Sequence, residues 1–141
     1  MIAAGFLVVR VGGERYGIDL ASVEEVVDLG APTPVPGRLP AFRGVVRWRA
    51  RHLSVLHLGA LMDGASPPER RGDTALVVRL GDLPVALEVD AVVDVVEGGG
   101  ASVGASPTAG AVGVWQVEGA LVTMLDLGAL AERVAEQGEV G

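Results

Sequence analysis

Leu7-Val8-Val9-Arg10-Val11-Gly12 and Leu76-Val77-Val78-Arg79-Leu80-Gly81 are one six-residue phrase written twice, 69 positions apart. The same offset lays Val23-Glu24-Glu25-Val26-Val27-Asp28 on Val92-Val93-Asp94-Val95-Val96-Glu97. It lays Gly44-Val45 on Gly113-Val114, and Leu56-His57-Leu58-Gly59-Ala60-Leu61 on Leu125-Asp126-Leu127-Gly128-Ala129-Leu130. One offset that serves both ends of a unit marks an internal duplication. The chain therefore reads as two copies of one unit.

Each copy predicts the same order of elements. A Val-rich strand (6–11, then 75–80) reaches a Gly turn. A second strand follows (15–20, then 84–89). A third alternates apolar and acidic residues (22–28, then 91–97). A hairpin closes the unit (44–57, then 113–126), turning near Arg49-Ala50 and near Glu118-Gly119. Short strands between regular turn signals belong to sandwiches and barrels. Leu127, Leu130, Ala131 and Val134 fall at helical spacing, which predicts a short amphipathic helix over 127–137 and one helical turn over 58–62. Asp63 to Asp73 has the composition of a solvated linker, and Gly98 to Gly110 that of a mobile loop. The expected fold is all-β. Its expected parts are a first lobe at about 6–62, a linker at about 63–73 and a second lobe at about 74–137.

Composition narrows the function classes. The formal charge of −7 opposes general binding to nucleic acid or anionic membrane. The chain has no cysteine, hence no disulfide framework and no thiolate metal site, and a reducing cytoplasm is its simplest home. Met1 to Val9 is apolar but short, without a basic start, and reads as a strand rather than a signal peptide. No apolar run reaches the length of a membrane span. All 11 basic residues are Arg, a bias of composition rather than of chemistry.

Several segments resemble the CheW coupling proteins of bacterial chemosensory arrays. Phe6-Leu7-Val8-Val9, Gly12 and Tyr16-Gly17-Ile18-Asp19 match that family's opening strand pair. Val23-Glu24-Glu25-Val26 fits its next strand, and Pro40-Ala41-Phe42-Arg43-Gly44-Val45 fits the entry to its central hairpin. Leu76 to Glu97 and Val114 to Leu130 fit the second half. The resemblance implies two SH3-like five-stranded β-barrel lobes related by a pseudo-two-fold, with a short C-terminal helix. It also implies a non-catalytic adaptor in the cytoplasm without cofactor or metal. Its partners would be the signalling tip of a chemoreceptor and the regulatory domain of a CheA-type histidine kinase.

Carried over by position, the resemblance makes Val23, Glu25, Gly44, Arg49, Val92 and Val95 the partner-binding residues. Glu25 and Arg49 would orient a partner, and the valines would supply apolar contact. The hairpin departs from the family, reading Arg47-Trp48-Arg49-Ala50 where the family pattern has Asn-Leu-Arg-Gly. Loss of that Gly bears on the turn, because Gly tolerates positive φ. Two other readings stay open: a divergent module that retains one partner, and a regulatory or ligand-binding barrel of another signalling system.

Other candidates carry less. Arg43, Arg47, Arg49, Arg51 and His52 cluster on an acidic chain. They are either a solvated hairpin face or a docking patch, since Arg and Trp are enriched in binding hot spots. Four arginines against a net charge of −7 make a poor footprint for nucleic acid. Glu24, Glu25 and Asp28 alternate with valines as a solvated strand face or as partners of Arg49. His52 and His57 stand an odd number of residues apart on one strand and face opposite ways, which opposes a shared metal site. Ser54 has no plausible triad, and the glycines at 98–100 lack the Lys of a phosphate loop.

Overall fold

A computed structural model of the chain describes residues 5–35, 39–64, 66–69, 72–97, 101–104 and 111–139. The first copy supplies β1 (Phe6–Val11), β2 (Glu14–Asp19), β3 (Val23–Asp28), β4 (Phe42–Trp48), β5 (Arg51–His57) and α1 (Leu58–Asp63). The second supplies β6 (Thr74–Leu80), β7 (Leu83–Val89), β8 (Ala91–Val96), β9 (Ala101–Gly104), β10 (Ala111–Val117), β11 (Ala120–Leu125) and α2 (Leu127–Glu139). The fold is mostly β, as the sequence predicts. Strand β9 lies inside the stretch read as a loop, whose positions 98–100 and 105–110 fall outside the described residues.

The copies do not each build their own sheet. Among the described residues one sheet runs β8-β1-β2-β11-β10-β9 and the other β3-β6-β7-β5-β4. Each copy keeps its first two strands together and lends its third strand and hairpin to the other copy's pair. Exchanging the copies maps one sheet onto the other, with β9 as the extra strand. The hydrogen-bond registers obey the same exchange. Phe6 faces Asp19 as Ala75 faces Glu88, and β11 joins β2 in parallel as β5 joins β7. Even the bulges correspond, at Glu24 against β6 and at Val93 against β1. The sequence boundary at 63–73 therefore does not separate the spatial units; each sheet crosses it.

The reason lies in β1 and β6. A strand solvated on one face alternates, whereas Phe6 to Val9 and Ala75 to Val78 are buried at every position. Phe6 and Val8 join Val122 and Met124 in the interior of the first sheet. Ala75 and Val77 join Leu53, Val55 and Ala86 in the interior of the second. The opposite faces, with Leu7, Val9, Leu76 and Val78, meet in a third and larger cluster that α1 and α2 help to cover. Two small barrel cores thus share one layer between them. Burying a Val or Leu side chain contributes roughly 1.5–3 kcal/mol, so separating the barrels would expose the largest part of the apolar core.

One ion pair ties the crossing chain to the second sheet. Glu88 on β7 is fully buried and takes a bidentate contact from Arg43 on β4, Nε to Oε1 at 2.9 Å and Nη2 to Oε2 at 3.0 Å. Gly72 donates its N–H to Oε2 at 2.8 Å, and Arg43 Nη1 donates to the Pro68 carbonyl at 2.6 Å. The stretch read as a solvated linker is thus partly stitched down. Beside it His57 caps α1, its Nδ1 accepting from the Ala60 N–H at 3.0 Å. Its repeat mate Asp126 caps α2 in the same way, accepting from the Gly128 N–H at 2.9 Å. Both residue types fit because the position needs an acceptor.

Two outcomes follow from this region. Glu88→Gln puts a neutral amide in place of the buried carboxylate that Arg43 and the Gly72 N–H contact, and lowers stability by about 3 kcal/mol in urea unfolding. His57 accepts through Nδ1 only when unprotonated. Burial holds its pKa below the ordinary 6.5, outweighing the raising effect of Glu88. The unfolded chain then binds the proton first, so this contribution is whole above the unfolded pKa and is lost as pH falls below it. In His57→Asn, which keeps an acceptor at the cap, the urea midpoint falls less between pH 7.5 and 5.5 than in the parent.

Candidate functional site

The β4–β5 hairpin tip is the most structured exposed feature. Arg49 and Ala50 both take positive φ, 46° and 62°. That is the backbone of a two-residue hairpin turn whose twist suits the strands on either side. The matching turn at Glu118 and Gly119 has φ of 49° and 82°, so the geometry is retained although Gly is replaced by Ala. Ala50 holds it because β4 and β5 pair in register up to Trp48 and Arg51.

Glu25 reaches this tip from the far edge of the sheet. Its partner across the ladder is Val77, an interior residue, which places Glu25 on the barrel's inner side. One carboxylate oxygen accepts from Trp48 Nε1 at 2.9 Å, and the other takes the Arg49 guanidinium. The Trp48 ring carries the Arg49 guanidinium 4.9 Å from its centroid and that of Arg51 at 5.1 Å. Strands β3 and β4 are the two ends of the sheet, so this cluster helps to close it, together with the Thr33–Val45 bridge. Trp48 is half-buried against the second barrel's core. The side chain of Arg49 remains 67% exposed, so the pair adds at most about 1 kcal/mol and chiefly sets orientation.

The basic cluster divides. Arg47, Arg49, Arg51 and His52 are exposed, whereas Arg43 is committed to Glu88. His52 faces out and His57 in, as their odd separation predicts. Glu24 pairs with Arg79 at 3.2 Å on the outer surface. No group of His, Cys, Asp and Glu among the described residues is arranged to hold a metal.

Gly44 contributes space rather than contact. It is buried with φ of 135°, beside the bulge in the β4–β5 ladder, and a Cβ there would strike the Thr33 carbonyl. Val23 and Val92, repeat mates, are half-buried against the shared layer. Val95 is 52% exposed on β8. Simple alternation would set Val92 and Val95 on opposite faces, yet the bulge at Val93 restores them to one, opposite Val9 and Leu7. Sequence parity missed this, and it missed Val26, the mate of Val95, which is 46% exposed. Glu25 and Arg49 come together at the tip; Val92 and Val95 share a separate apolar ledge; Val23 and Gly44 lie inward.

The turn supplies a direct check. A non-Gly residue in the left-handed region costs about 1–2 kcal/mol, against the smaller entropic cost of Gly. Ala50→Gly therefore stabilises the chain by about 0.5–1 kcal/mol, read as a raised urea midpoint, and leaves the Glu25–Arg49 contact in place.

Comparison with known proteins agrees with this architecture. No curated protein matches the sequence. Among solved structures, the scaffolding protein TtCheW from Thermoanaerobacter tengcongensis superposes with a TM-score of 0.76 at 19% identity, over 91% of this chain and 92% of the other. That likeness establishes the fold. The family model for the CheW-like domain matches residues 5–135, which takes in both halves, the crossing segment and the hairpin tip. The chain belongs to the CheW-like domain family.

Proposed function

We propose that the chain is a chemosensory scaffold that couples chemoreceptors to a CheA-type histidine kinase and catalyses nothing itself. The observation that carries this reading is the clamped hairpin tip. Glu25 fixes Trp48 and Arg49 together, so a charged, aromatic surface is held in one geometry before any partner arrives. Pre-organised Arg and Trp are favoured anchors for protein contacts, because little rotamer entropy is left to lose on binding. Membership of the CheW-like domain family, with the fold of a CheW scaffold, gives this surface its context.

The two surfaces divide the work. The tip, with Glu25 and Arg49, docks the regulatory domain of the kinase, barrel end against barrel end. The ledge of Val92 and Val95 receives the helical signalling tip of the receptor, whose apolar face would lie against an exposed apolar strip. Val23 and Gly44 support these surfaces from within, Val23 by filling the shared layer and Gly44 by admitting the Thr33 backbone. No helix among the described residues is long and apolar enough to cross a membrane. The chain works in the cytoplasm and is brought to the membrane by its receptor.

Separate titrations against a receptor signalling-tip fragment and a CheA regulatory domain test the proposal. Micromolar dissociation constants, about 8 kcal/mol of binding free energy, are expected for each. Arg49→Glu weakens kinase binding at least tenfold and leaves thermal stability nearly unchanged, since the side chain is largely exposed. Val95→Glu does the same for the receptor fragment alone. Failure of the parent chain to bind either partner refutes the reading. A large loss of stability in Arg49→Glu would instead make the tip a folding element.

A further inference from the structure

The two barrel interiors are built from mated positions, yet they are filled differently. In the first, Trp115 packs inward with its ring edge-on to Phe6, centroids 5.9 Å apart. Its mate in the second barrel is Val46, and the mate of Phe6 is Ala75. The second barrel's own tryptophan, Trp48, stands two residues further along the strand, at the rim, where the first barrel has Val117. The aromatic ring has in effect moved from the floor of the barrel to its mouth. Behind it lies a recess of about 260 Å³, walled by Val27, Val46, Leu53, Ala86 and Trp48. The segment from Asp28 to Thr33 forms its outer lip.

We infer that this recess is a binding site for a small neutral aromatic molecule of indole size, seated where the other barrel places the Trp115 side chain. Three features fix that chemistry. The side chains of Val27, Val46, Leu53, Ala86 and Trp48 offer a ring an apolar seat within a lining that is partly polar, so the ring gains where it leaves water against them. The volume exceeds the roughly 150 Å³ of a cavity that admits benzene, and falls short of the usual pocket for a drug-sized ligand. The charged groups at its edge are Asp28 and Arg47, one of each sign, which gives no preference for an ionised ligand. Trp48 is a fixed wall, held by its bond to Glu25 and by the two guanidiniums over its ring. The site is therefore formed in advance of its occupant.

The inference does not depend on the scaffold reading, and indole itself is the probe. Indole is titrated into the isotope-labelled full chain and followed by NMR. The methyl groups of Val27, Val46 and Leu53 shift together with a dissociation constant of about 1 mM, the range expected for a ring of this size in a half-open site. The mated residues Val122 and Met124 of the first barrel stay unmoved. Val46→Trp restores the first barrel's filling and weakens binding at least tenfold. Ala31→Trp, an exposed lip substitution that leaves the core intact, does the same by closing the mouth. The site is refuted if indole moves none of these methyls, if it moves both barrels alike, or if Ala31→Trp binds as the parent does. Shifts confined to Arg47, Arg49 and Arg51 would show indole stacking on the outside of Trp48, and would refute it equally.

Discussion

Burial of β1 and β6 on both faces is the demand from which the rest of the fold follows. A strand of this kind needs an apolar cover on each side. Its own barrel gives one, and the other copy's central strand gives the second, through the layer that joins Leu7 and Val9 to Leu76 and Val78. With β1–β2 and β6–β7 set against each other, each copy's later strands complete the sheet begun by the other copy. The exchange then makes the barrels inseparable without breaking both sheets. Lobes that were merely adjacent would share an interface; these share their hydrogen-bond ladders as well.

The duplication is informative where it fails. The mate of Glu88 is Asp19, which stays near the surface and caps a 3-10 turn by accepting from the Ala21 N–H at 3.1 Å. The mate of Arg43 is Val112. The enclosed ion pair thus occurs in one half only, the half whose chain must cross from the first copy to the second. A buried pair of this kind adds little net stability compared with apolar side chains. What it does here is geometric. The hydrogen bonds from Arg43 to the Pro68 carbonyl and from the Gly72 N–H to Glu88 specify where residues 68 and 72 lie against β4 and β7. Among its described residues the crossing segment has no strand or helix of its own between α1 and β6 to do so.

Much of the fold was legible because the offset of 69 residues carries element order, turn position and helix placement from one copy to the other. The hairpin turns at Arg49-Ala50 and Glu118-Gly119 fall at mated positions of that register. The exchange was not legible, since an internal repeat looks the same whether its strands pair within a copy or between copies. Nor was the Glu88–Arg43 pair, because the two residues stand 45 positions apart with no periodicity to link them. The candidate site was half legible. Glu25 and Arg49, polar positions that the resemblance implies, meet at the hairpin tip. The shared face of Val92 and Val95 depends on a bulge, which shifts parity by one residue and leaves no mark in a run of valines.

Strand β3 carries residues that face two different parts of the fold. Its ladder partners set Glu25 on the inner side of the second barrel, where it holds the tip, and Val26 opposite Leu76, on the side of the shared layer. Neighbouring residues of one strand thus serve the hairpin tip and the apolar layer between barrels. Strand β8 repeats the arrangement with Asp94 opposite Val8 and Val95 opposite Leu7. It lacks the tip clamp, because Glu118 and Val117 replace Arg49 and Trp48 at the matching hairpin. Val95 is laddered to β1, β1 packs on β6 through the shared layer, and β6 pairs with β3, which carries Glu25. The connection is made of ladders and close-packed side chains, as protein interiors are. Val95 and Glu25 thus stand on corresponding edge strands, β8 beside β1 and β3 beside β6, each next to one of the two strands that share the layer.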